Sequence, residues 1–186
     1  MSVYSYDPPE RFVAGTVGQP GDRVFYLQAR ASGRVTSVVC EKFQVSVLAE
    51  RIDELLDEVQ RRGGGPPATS SGAAEAPADD GPLDLPLTED FRVGAIALAW
   101  DSENHRVVIE AQEDTDTPAA PLADDQPEPA HGVLRVSITP AVARAFSRRA
   151  LRIVGQGRPP CPLCGLPLDA EGHVCPRQNG HRVSDA

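Results

Sequence analysis

The sequence predicts an α+β protein in which two βββα units pack as one body and a small zinc-binding tail follows. Three observations lead there. Short alternating apolar runs are followed by an amphipathic helical stretch, and this order occurs twice. Two segments rich in Pro, Gly, Ala and acid interrupt it. The last stretch gathers three of the four cysteines and two of the four histidines. The implied organisation is a first unit over 1–62, a flexible acidic linker over 63–90, and a second unit over 91–157 carrying a disordered insertion at 113–131. A zinc-knuckle or ribbon-like tail fills 158–186.

In the first unit, strands are expected at 11–18 and 23–30, joined by the turn-prone Gln19-Pro20-Gly21-Asp22, and at 34–41. A helix over 44–62 follows, because Leu48, Ile52, Leu55, Leu56 and Val59 recur at helical spacing. In the second unit, strands are expected at 91–100, 105–112 and 133–138. A helix then starts at Thr139-Pro140, a natural cap followed by a residue suited to the first turn. It runs to about Val154 and stops at Gly155-Gln156-Gly157. Short matches run between the units: Phe12 and Gly15 with Phe91 and Gly94, Leu27-Gln28-Ala29 with Ile109-Glu110-Ala111. Three strands and a helix are marginal alone, so the units are expected to share one core.

The connectors 63–90 and 113–131 lack the apolar content that would offset the entropy of ordering them. Carboxylates such as Asp79-Asp80 and Asp124-Asp125 are therefore expected to be solvated. No 18-residue apolar run spans a membrane, and Met1–Asp7 lacks a signal-peptide pattern, so a cytoplasmic location is expected. The net charge is −9, but Gly132–Ala186 holds eight Arg against three acids, leaving −14 on the rest. An acidic body argues against non-specific nucleic-acid binding by the whole chain.

The tail carries the definite chemistry. Cys161-Pro-Leu-Cys164-Gly165 is a knuckle: two sulfurs two residues apart can face one ion, and the glycine eases the turn. His173 and Cys175 are two apart, on one side of an extended segment, with Gly172 allowing a reversal. The expected ligand set is Cys161, Cys164, His173 and Cys175, with His181 as the alternative fourth ligand. The expected cofactor is structural Zn²⁺. A thiol redox pair would need a strand-to-helix setting, and a catalytic zinc would need an open position.

On the second helix Arg144, Arg148 and Arg152 recur every four residues, and Arg149 flanks them. The stripe is a candidate site for an anion or an acidic partner, set against a solvated face drawn weakly to the acidic first helix. A nucleic-acid reading would want exposed aromatics, and the chain is only 5% aromatic. Cys40 reads as a small buried hydrophobe and His105 as a strand-edge residue. No phosphate loop, dinucleotide fingerprint or nucleophile elbow is present.

One resemblance spans most of the chain. The opening Tyr6-Asp7-Pro8-Pro9-Glu10-Arg11-Phe12-Val13-Ala14-Gly15-Thr16-Val17-Gly18-Gln19-Pro20-Gly21 resembles the start of the actinobacterial domain of unknown function 3090 family. Tyr26-Leu27-Gln28-Ala29-Arg30, the knuckle, and His173-Val-Cys175-Pro-Arg-Gln-Asn-Gly are similar to its later parts. The resemblance implies a cytosolic actinobacterial repeat protein and carries over no catalytic residue. The expected function is a non-enzymatic interaction or adaptor module that meets another protein. The alternatives are an enzyme with a cleft between the units and a nucleic-acid-binding zinc protein.

Overall fold

A computed structural model describes residues 2–63, 76–115, 131–157, 161–166, 175 and 177. Its elements are β1 (Val3–Tyr6), β2 (Arg11–Val17), β3 (Val24–Ala31), β4 (Arg34–Cys40), α1 (Lys42–Arg61), β5 (Glu89–Asp101), β6 (Arg106–Glu113), β7 (Val133–Ile138) and α2 (Pro140–Gly155). Two strand-rich units each end in a helix, as the hydrophobic pattern requires. The seven strands form one sheet in the order β1-β7-β6-β5-β4-β3-β2.

Local chemistry sets the turns. Ser32 and Gly33 both take positive φ (51° and 74°), the left-handed pair that matches strand twist in a two-residue hairpin. Gly18 and Gly21 do the same in the β2–β3 loop, where Asp22 N–H donates to the Gln19 carbonyl at 2.9 Å. At α1 the Gln44 side chain accepts from Glu41 N–H at 2.8 Å, one half of a capping box. Thr139 caps α2 by accepting from Val142 N–H.

The sequence pattern missed β1. It pairs in parallel with β7, Val3 opposite Val133 and Tyr6 opposite Val136. Four residues between two prolines and the chain start are too few to show a period. Its placement clarifies the sheet. The start of β5 pairs in parallel with β4, and the rest of β5 pairs antiparallel with β6. In the other unit the same two roles are divided: β1 lies parallel to β7, and β2 lies antiparallel to β3. Residues 7–10 join them where β5 runs on unbroken. The β1 edge of the sheet also comes back close to β4. Tyr6 Oη lies 2.7 Å from Thr36 Oγ1, and Arg34 donates to the Ser5 carbonyl at 3.0 Å.

One face of the sheet carries the core. Phe12, Ala14, Leu27, Val38, Phe91, Ile109 and Val136 meet Val45, Ile52, Phe146 and Ala150 from the helices. The rings of Phe12 and Phe146 stack at 4.7 Å, tying α2 to the edge strand β2. Small residues bring the helices close: Ser147 Oγ on α2 reaches the Ala49 carbonyl of α1 at 2.8 Å.

The expectation of a flexible linker throughout 63–90 fails for its second half. Residues 89 and 90 begin β5, and residues 76–88 lie across the outer face of β2–β4 as an extended strap. Gln28 clamps the strap backbone, donating to the Asp84 carbonyl at 3.1 Å and accepting from Asp84 N–H at 2.7 Å. Leu83 sits over Gly15, where a Cβ would come within 2.5 Å of the leucine side chain. The entropy cost of ordering the strap is offset by ion pairs and backbone hydrogen bonds rather than by apolar burial. The rest of the two connectors, 64–75 and 116–130, lies outside the described residues, and Asp124 and Asp125 with it.

Candidate metal centre

The knuckle folds as a tight turn. Cys161 N–H donates to the Leu166 carbonyl at 2.7 Å, and Gly165 N–H donates to the Cys161 carbonyl at 2.8 Å. Gly165 has φ +75°, so the glycine after the second cysteine is required by the backbone. Leu163 N–H points at Cys161 Sγ, 3.4 Å away. Cys175 then brings its sulfur back to the turn. The Sγ atoms of Cys161, Cys164 and Cys175 all lie within 4.8 Å of one another, with Cys161 and Cys175 at 3.9 Å. Zinc–sulfur bonds of about 2.3 Å in a tetrahedron place sulfurs about 3.8 Å apart, so the spacing fits one ion.

Electrostatics within the cluster are uneven. Backbone N–H donation, chiefly from Cys164 and then from Leu163, holds the Cys161 thiol below its ordinary value. Burial and the neighbouring Cys161 and Cys175 sulfurs push Cys164 up. Three close sulfurs resist sharing negative charge, and a divalent cation removes that conflict. Thiolates suit zinc and other soft or borderline metals, so the donor set fits the group that the spacing suggested. Three sulfurs leave one tetrahedral position for a further ligand. His173 and His181 lie outside the described residues.

The arginine stripe of α2 meets acids of the same chain. Arg144 donates to Asp53 of α1 at 2.7 Å and also pairs with Asp57. Burial alone would lower the Arg144 pKa, but Asp57 and Asp53 outweigh it and hold the guanidinium above its ordinary value. Arg152 pairs with Asp80 on the strap, and Arg148 is exposed between them. Of the basic stripe, Arg144 joins α2 to the acidic face of α1, through Asp53 and Asp57.

Arg149, named in the sequence only as a flanking residue, has the more constrained role. It is buried and donates to the Ala14 carbonyl at 2.6 Å and the Gly81 carbonyl at 2.7 Å. It thus occupies an outward carbonyl of an edge strand and ties the strap to α2. Burial pulls its pKa down, with Asp79 opposing. Nearby, Arg11 holds Asp79 through two donors at 2.6 and 2.9 Å and also reaches Asp84 at 3.0 Å. Hydrogen bonding from Arg11 keeps the Asp79 carboxyl below the usual range. A signal for Arg149 was present: Val142, Phe146, Arg149 and Ile153 fall on one helical stripe, so the arginine stands in an apolar series. Nothing in 76–90 marks Asp79 as its partner. Cys40 is buried as expected, its thiol raised to about 12 chiefly by burial. His105 is exposed at the β5–β6 turn with its ring 6.2 Å from that of Trp100.

Fold and site together define a class: an α+β protein whose two strand-rich units, each with a helix, precede a cysteine cluster able to hold a metal. Among the described residues no helix is long and apolar enough to cross a membrane. The chain belongs to the family described as "Protein of unknown function (DUF3090)", whose model matches residues 4–175 and so includes all three clustered cysteines. No curated protein and no solved structure matches it.

Proposed function

We propose that this is a cytoplasmic, non-enzymatic interaction module whose tail is ordered by a structural Zn²⁺ and docks another protein. The ligands are Cys161, Cys164, Cys175 and His173, with His181 as the alternative to His173. The observation that carries the reading is the convergence of three sulfurs in a segment with little apolar content. Leu163 and Leu166 are about half exposed while Cys161 and Cys175 are buried. Such a tail needs the metal's binding energy to hold one shape. Arg144, Arg148 and Arg152 lead into it. An acidic partner at Arg144 or Arg152 has to displace Asp53, Asp57 or Asp80, so the stripe contributes less to docking than the tail does. The same competition works against the nucleic-acid reading.

The test combines metal content with capture. The intact chain is expected to bind one zinc, and the Cys161→Ser/Cys164→Ser variant none. His173→Ala and His181→Ala distinguish the fourth ligand, since only the true ligand's loss weakens zinc retention. A partner captured by the intact chain from native cells should be lost with the double variant. An identical capture profile from a zinc-free variant removes the docking role of the tail.

A further inference from the structure

Between the two units lies a cleft of about 470 Å³, whose described lining includes Pro20, Arg23, Phe25, Lys42, Val154 and Gln156. The β2–β3 hairpin forms one wall, the first residue of α1 the floor of another, and the end of α2 the third. We propose that this cleft is a binding site for a small organic anion, a carboxylate or phosphate ester with an apolar body.

Three features support it. Among the described residues the charged lining is cationic, Arg23 and Lys42, in a chain of net charge −9. Its apolar lining, the nearly buried Phe25 ring and Val154, offers a surface for a hydrocarbon or aromatic group. The site is also pre-shaped. A side chain at Gly18 would meet the Asp22 carbonyl at 2.3 Å, so the lip keeps one tight turn. Arg23 donates through one guanidinium nitrogen to the Gln156 carbonyl across the cleft, and its other donors are left for a ligand. Lys42 is exposed and has no ion pair among the described residues, whereas its neighbour Glu41 is engaged by Arg92 at 3.2 Å. A volume of this size suits a metabolite rather than a macromolecule. Every described lining residue precedes Cys161, so the cleft is separate from the cysteine cluster.

Isothermal titration of the full chain with phenyl phosphate, benzoate and benzyl alcohol tests it. Saturable binding of phenyl phosphate or benzoate is expected, with benzyl alcohol silent. Preference for one of the two assigns the anion class. Lys42→Gln should weaken binding at least about tenfold, as expected for losing one charge-assisted hydrogen bond, and Arg23→Gln should do the same. Arg51→Gln, an exposed change on the same helix, should leave it unchanged. Arg23→Gln could unseat the end of α2, so Lys42→Gln is the deciding variant. No saturable binding of either anion, or equal affinity in Lys42→Gln, overturns the proposal.

Discussion

In the body, α2 lays Phe146 against Phe12, and Leu27, Ile52 and Val136 are sealed from water. In the tail the assignment is inverted: the described leucines Leu163 and Leu166 are about half exposed, while Cys161 and Cys175 are buried. One region is held by apolar area removed from water, and the other gathers three sulfurs that, on the proposed reading, a metal would hold together. A domain core tolerates the loss of one contact by spreading the strain. A metal cluster does not, because each ligand supplies a large share of one interaction. The comparison teaches that the two regions should come apart independently.

The largest effect expected is from metal removal. A strong chelator should strip a binding energy of about 10–16 kcal/mol from the tail. Proteolysis after residue 157 should become fast while the body's unfolding midpoint, read by circular dichroism, stays in place. A body that melts with the tail would show that the two are one cooperative unit. The converse change is Phe146→Ala, which should cost the body about 3–5 kcal/mol in denaturant while zinc stoichiometry remains unchanged.

A smaller effect probes the strap, which belongs to the body but is held by charge. Asp79→Asn should cost about 1–2 kcal/mol at neutral pH, a modest figure because the carboxylate is partly exposed. The pH dependence follows in sign. The folded pKa of Asp79 lies below its unfolded value, so its contribution is present above about pH 4 and fades as pH falls through the folded value. Wild-type stability should therefore drop more steeply on acidification than that of the variant. Parallel pH profiles would show that Arg11 and Asp79 gain nothing from each other.

Legibility in the sequence differed between regions for the same physical reasons. Six of the seven strands and both helices were visible because apolar periodicity is local and the core reads it directly. The knuckle was visible because Cys161, Cys164 and Gly165 must stand at fixed spacing to turn two sulfurs one way. The strap was misread. Its residues are those of a solvated linker, and its order comes from Gln28, Arg11 and Arg149, which lie 56 to 73 positions away in the hydrogen bonds they share with it. A weak attraction between the charged faces of α1 and α2 was legible, but not that Arg144 would make it while Arg152 turns to the strap, since composition does not say which residues meet.

By itself, then, the sequence determined the α+β class, the order of strands and helices, and the sulfur chemistry of the tail, because each depends on spacing along the chain. Only the tertiary structure decided that β1 and β2 share the work that β5 does alone, that an acidic strap closes one sheet face, and that Arg23 and Lys42 share one cleft. Those features depend on residues distant in sequence becoming neighbours, which spacing along the chain does not encode.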